Sequence, residues 1–211
     1  MSTISLRPAS DQDIPRLVEL IQAAYRGQGG WTTEAHLVDG HRIDAAELRA
    51  MLADPAVTLL VATSDASSTG ENGADCGGAD AGSTGVGGAA AAERVLGCCY
   101  TRREEPDEHG IVKAELGLFA VDPAAQGAGI GGRLLEAQAA SLAADGVDVL
   151  MIQVLQSRPE LHSWYERHGF TRTGQAVPFA GDAAMLKVEG LGMDIMERPL
   201  PADDRAARHS A

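Results

Sequence analysis

Two hydrophobic rhythms alternate along the chain. Residues 3–7 (TISLR) step between polar and apolar with a strand's period of two, and Pro8 closes the run. Ile14, Leu17, Val18 and Ile21 then recur at three- and four-residue spacing, which predicts a helix capped by Asp11 or Asp13 and running to about Tyr25. Residues 26–43, polar and glycine-containing with Trp31 inside, read as a loop. Asp44 is placed to cap a second helix, with Leu48, Met51 and Leu52 inward, that ends near Asp54-Pro55. Residues 57–63 (VTLLVAT) form the next strand, and strands resume at 94–103 (RVLGCCYTRR) and 111–121 (IVKAELGLFAV). Ile130, Leu134, Leu135 and Leu142 mark a helix over about 129–144. The nearly continuous apolar run at 147–155 (VDVLMIQVL) predicts a strand covered on both faces. Pro159 opens a further helix and Gly169 closes it, before strands at 170–175 and 191–198. The predicted order is β-α-α-β-β-β-α-β-α-β-β, a single mixed-sheet α/β domain over residues 1–200 with an antiparallel front and a βαβαβ back.

Residues 64–93 break the pattern. Eight glycines, eight alanines and five acids stand there without a lysine or arginine, and Val86 is the one large apolar side chain. Such a segment buries too little to offset its ordering entropy, so it is expected to be a low-complexity disordered insertion between two strands. Residues 201–211 are expected to form a flexible tail.

Composition narrows the function. The net charge of −13 argues against nonspecific binding to nucleic acid or an anionic membrane. The start, MSTISLRPAS, has no apolar core of a signal peptide, and no apolar run approaches the length of about 18 residues that a spanning helix needs. Cys76 and the adjacent Cys98 and Cys99 offer neither a C-x-x-C nor a disulfide framework, which points to a reducing cytoplasm. Histidines 36, 41, 162 and 168 are scattered and lack metal-ligand spacing, so no metal is expected.

The chemistry concentrates at Gln126-Gly127-Ala128-Gly129-Ile130-Gly131-Gly132, between a strand and a helix. Bare amide N–H groups leading into a helix N-terminus suit a phosphate, and a Cβ would hold the phosphate away. As G-x-G-x-x-G on Gly127, Gly129 and Gly132, the segment would bind a dinucleotide. However, five residues separate Val121 from Gly127, and about twenty residues past Gly132 lies Ile152 rather than an acid. A Walker loop fails for want of Gly-Lys-Ser/Thr. As Q-x-x-G-x-G on Gln126, Gly129 and Gly131, the segment suits the pyrophosphate of coenzyme A.

A second block, SRPELHSWYERHGF at 157–170, joins the first. With a strand ending Val121-Asp122-Pro123, the glycine motif, and Trp164 to Phe170 at this separation, the chain resembles the GCN5-related N-acetyltransferase (GNAT) superfamily, in a bacterial subgroup of unassigned acceptor. The resemblance covers about residues 3–200 apart from the insertion. It implies acetyl-coenzyme A (acetyl-CoA) as co-substrate and direct transfer of its acetyl group to a primary amine of a small molecule or a protein. It allows a homodimer. It places pantetheine and thioester along Leu118, Phe119, Ala120 and Val121, and pyrophosphate on Gln126, Gly127, Ala128, Gly129, Ile130, Gly131 and Gly132. Tyr165 becomes the acid that protonates the departing thiolate, although by spacing alone it shares a core stripe with Leu161, Trp164 and His168. Glu115, four residues before Phe119, is the candidate base, directly or through water. Two departures stand out: Arg158 lies near the place of an asparagine common in relatives, and Gln153 matches the glutamate base of ribosomal-protein N-acetyltransferases. A neutral amide cannot take the amine proton, so that role does not transfer. The alternative is a non-catalytic acyl-CoA binding module in which Tyr165 only packs.

Overall fold

Seven strands among the described residues pair in one sheet, in the order β1-β2-β3-β4-β5-β7-β6. They are β1 (Ile4–Pro8), β2 (Val57–Ser64), β3 (Arg94–Arg103), β4 (Lys113–Val121), β5 (Val149–Leu155), β6 (Thr171–Pro178) and β7 (Gly192–Pro199). The helices are α1 (Ile14–Arg26), α2 (Ala45–Ala53), α3 (Ile130–Ala144) and α4 (Pro159–Arg167). The computed structural model describes residues 3–27, 30, 33–64, 93–179, 185–188 and 190–201.

The predicted side-chain cap is present at α2 but not at α1, where Asp13 holds the N-cap position without capping an amide of the helix. Asp13 ends a 3-10 turn before α1, where its carboxylate accepts the Ser10 amide at 2.8 Å. Asp44 caps α2 by accepting the amides of Ala46 and Glu47, while the Glu47 carboxylate accepts the Asp44 amide in return. Gly169 takes the left-handed conformation (φ 85°) that ends α4.

Two cores line the two faces of the sheet. Helix α1 and Leu48 of α2 pack on Leu59, Val61, Val95, Cys98, Leu118 and Ala120. On the other face α3 packs on Cys99, Ala114, Leu116, Leu150 and Ile152, together with Tyr165 and Phe170. At Gly97 a Cβ would lie 3.1 Å from Ile130 and 3.2 Å from Leu134, so the missing side chain lets the start of α3 close onto β3. Both Cys98 and Cys99 are fully buried, and burial lifts both thiols well above their ordinary range.

Two expectations need revision. β5 is not covered on both faces: Val149, Met151 and Gln153 stay half-buried because α1 and α2 cover β2 to β4 and stop short of it. The βαβαβ back also carries an insertion, since β7 lies between β5 and β6 and runs antiparallel to both.

Of the expected insertion, residues 65–92 lie outside the described residues, as do 202–211 of the tail. The two end residues do not belong to it. Ser64 pairs with Arg94 across β2 and β3, and the Glu93 carboxylate accepts the Thr63 hydroxyl and the Arg7 guanidinium. Because Ser64 and Arg94 already stand opposite each other, a short glycine-containing turn replacing residues 65–92 is expected to leave the fold and acetyl-CoA binding intact. Cooperative thermal unfolding at a midpoint within a few degrees of the parent checks this; a broad, non-cooperative transition would refute it.

Candidate active site

The site begins with an irregularity in β4. On β3, Cys98 pairs with Ala120 and Tyr100 with Gly117, which leaves Leu118 and Phe119 opposite Cys99 alone. Leu118 adopts φ 42°, an uncommon conformation for a side chain branched at Cγ. The bulge exchanges the faces of the strand. Ahead of it Ala114 and Leu116 point to α3; past it Leu118 and Ala120 point to α1, while Phe119 and Val121 join the α3 side. Gly117 has no Cβ because the Tyr100 ring lies against it.

The bulge also parts β4 from β5. Parallel pairing covers only Lys113–Glu115 against Val149–Met151, although β4 continues to Val121 and β5 to Leu155. From Leu116 onward β4 therefore presents a strand edge to a cleft, as an added extended chain would require. Tyr25 supports this stretch, its hydroxyl donating to the Phe119 carbonyl at 3.3 Å.

Asp122 turns the chain after β4. Its carboxylate accepts the Ala124 amide at 3.0 Å and is held by Arg16 at 2.5 Å and Arg94 at 3.0 Å. Burial alone would raise this carboxyl, yet the amide and the two guanidinium groups hold it below its usual value. The glycine turn follows. Gly127 (φ 84°) and Gly129 (φ 74°) are both left-handed, and nothing lies within 4 Å of where their Cβ atoms would stand. Gly129 then caps the 15-residue helix α3, whose first N–H groups have no partner one turn back. The result is a bare, positively polarised turn facing open space.

A cavity of about 800 Å³ connects these parts. Phe119, Val121, Gln126, Gly127, Gly129, Ile130, Gly131 and Gly132 line one end, Tyr165 its middle, and Glu115 with Tyr25, Tyr100 and Arg42 the other. Of the residues expected from the sequence to meet the co-substrate, Ala120 and Ala128 do not line it. The Ala120 side chain is buried against the opposite core.

Tyr165 sits in an aromatic cluster, its ring centroid 4.9 Å from Trp164 and 5.4 Å from Phe170. Its hydroxyl has no hydrogen-bond partner among the described residues and borders the cavity. Burial lifts this phenol well above 10, with Tyr25 and Cys99 adding to the effect, so it stays protonated at neutral pH. His168 stacks on Trp164 at 4.0 Å, and His162 is buried with Nδ1 donating to the Arg158 carbonyl at 2.9 Å and Nε2 3.2 Å from the Asp194 carboxylate.

Glu115 lies in the cavity, on the opposite face of β4 from Phe119, because the bulge intervenes. Burial raises its carboxyl above the ordinary range; Arg102 and the Tyr100 hydroxyl pull the other way. Gln153 also lines the cavity, half-buried on β5. Arg158 is buried, paired with Glu160 and donating to the Thr33 carbonyl at 2.7 Å, which ties the start of α4 to the loop after α1. Among the described residues no group of three His, Cys, Asp or Glu could hold a metal, and no helix is long and apolar enough to cross a membrane.

Comparison with known proteins agrees with this geometry. Residues 85–172 match the acetyltransferase (GNAT) domain model, a span that includes β3, β4, the glycine turn, α3, β5 and α4. Comparison with curated proteins gives no match. Solved structures share the fold. A ribosomal-protein alanine N-acetyltransferase from Escherichia coli is 16% identical with a TM-score of 0.61, covering 96% of this chain and 98% of its own. A ribosomal-protein-alanine N-acetyltransferase from Brucella melitensis is 18% identical with a TM-score of 0.60, covering 93% and 99%. A GCN5-related N-acetyltransferase from Kribbella flavida is 19% identical with a TM-score of 0.55, covering 93% and 98%. Both motifs thus lie inside the stretch that matches the GNAT acetyltransferase domain, and the chain shares the fold of these structures.

Proposed function

We propose that this protein is an N-acetyltransferase that binds acetyl-CoA along β4 and passes its acetyl group directly to a primary amine of a small molecule or a protein. One observation carries the reading: the edge of β4 freed from β5 runs into the bare glycine turn, within the cavity that Tyr165 and Glu115 share.

In this reading the pantetheine pairs with the exposed edge of β4 as an added strand, and the pyrophosphate rests on the amides from Gly127 to Gly132. The amine nitrogen attacks the thioester carbonyl, a C–N bond forms, and a backbone N–H of β4 receives the developing oxyanion. Glu115 takes the amine proton, directly or through water. As the C–S bond breaks, Tyr165 gives its proton to the thiolate. Burial that lifts the phenol lifts the thiolate beside it too, so the proton still has a basic destination.

Glu115 as the base makes a pH prediction. Only the ionised carboxylate accepts a proton, and burial raises its pKa, so kcat/KM should fall as pH drops through a value above the ordinary glutamate range. Glu115→Gln should lower turnover by about 10²-fold or more and abolish that acidic limb. A wild-type acidic limb that persists unchanged in the variant would remove Glu115 from the chemistry.

Gln153, neutral where ribosomal-protein acetyltransferases carry a glutamate, favours the second reading, an acyl-CoA binding module without turnover. Initial rates at varied acetyl-CoA and amine test the route: direct transfer predicts intersecting double-reciprocal lines. Parallel lines would show an acetylated enzyme intermediate instead.

A further inference from the structure

We infer that the acceptor is a small amino acid, with its amine toward Glu115 and its carboxylate on Arg42; the inference rests on the transferase reading above. Six arginines are half or fully buried among the described residues. Five hold a carboxylate: Arg7 with Asp13, Arg16 with Asp122, Arg26 with Glu34, Arg158 with Glu160 and Arg198 with Glu136. Arg42 holds none. Its guanidinium has no ion pair and no hydrogen bond among the described residues, in a chain with a net charge of −13. It lies instead over the Tyr25 ring, 5.1 Å from the centroid, and lines the cavity. Its own backbone is fixed, since the Arg42 amide donates to Gln22 Oε1 at 3.0 Å.

The carboxylates of this end sort the opposite way. Glu34 is paired with Arg26, and Asp39 with Lys187 at 2.8 Å. Glu115 forms no ion pair within 4 Å among the described residues. Among the described residues this end of the cavity thus keeps one guanidinium and one carboxylate outside any ion pair, the carboxylate beside the Tyr100 hydroxyl. Tyr100 lies within electrostatic reach of both. A zwitterion supplies the complement of each: its ammonium meets Glu115 before losing a proton, and its carboxylate meets the planar donors of Arg42. A plain amine would leave Arg42 without an anion among the described residues. Guanidinium groups partly withdrawn from water strongly favour bidentate carboxylates, so the preference should be measurable.

The test compares each common L-α-amino acid with its own amide, by release of coenzyme A thiol from acetyl-CoA with the full chain. At least one acid should exceed its amide in kcat/KM by about 10- to 100-fold, the range for a hydrogen bond to a charged group. In Arg42→Gln that ratio should collapse toward unity, and Arg42→Lys should recover part of it. An unchanged ratio in Arg42→Gln, or acids and amides turned over alike by the parent, would overturn the inference. Thiol release with simple amines but with no amino acid would overturn it too while sparing the transferase reading. Bound acetyl-CoA with no thiol release from any amine would overturn both.

Discussion

Tyr165→Phe is expected to lower turnover by about 10²–10⁴-fold while acetyl-CoA affinity and stability hardly move. The substitution keeps the ring, and therefore the contacts with Trp164 and Phe170 that fix α4 against the sheet. It also breaks no hydrogen bond among the described residues, because the hydroxyl makes none there. A packing role consequently predicts almost no effect, whereas a proton donor predicts a large one. The loss should fall on the rate constant for transfer, since the proton matters as charge builds on sulfur. An acyl donor with a better leaving thiol should recover part of the rate. Full turnover by Tyr165→Phe on a validated acceptor, with chemistry limiting the rate, would return Tyr165 to the core and leave thiolate departure to solvent.

Gly129→Glu should abolish acetyl-CoA binding, weakening it by about 10²-fold or more, because a like charge then occupies the phosphate position. The fold should survive. No protein atom lies within 4 Å of the missing Cβ, and the left-handed φ of 74° costs a side chain roughly 1–2 kcal/mol. Gly131 offers an independent check without backbone strain. A Cβ there would meet Trp164 at an ordinary 3.5 Å, so Gly131→Ala should fold normally and still bind acetyl-CoA more weakly. Calorimetry showing parental affinity in Gly129→Glu would place the phosphates elsewhere, and tight binding of NAD by the parent would restore the dinucleotide alternative.

Much of this arrangement was legible in the chain itself. Caps at Asp44 and Gly169, the apolar periodicities and the glycine motif are local signals, and each element they predict is present within a few residues. Less local features were harder to read. Glu115 and Phe119 are four residues apart, which in a regular strand puts them on one face; the bulge puts them on opposite faces. A trace of that exchange exists in the sequence, where apolar positions shift from Leu116 and Leu118 to Phe119 and Val121. Tyr25, Tyr100 and Arg42 carry no such trace. They come from α1, β3 and the loop before α2, and only the sheet order brings them to one cavity. The place of β7 between β5 and β6 is likewise decided by tertiary pairing rather than by the pattern of either strand.

The most direct measurement of the central claim is a mass balance. Purified protein is mixed with acetyl-CoA and an amine panel that includes the amino acids, and thiol, acetylated amine and intact protein mass are followed together. Direct transfer predicts one acetylated amine for each coenzyme A released, with no acetyl group on the protein at any time. Acetyl-CoA that binds but releases no thiol with any amine would contradict that account and leave a binding module in its place.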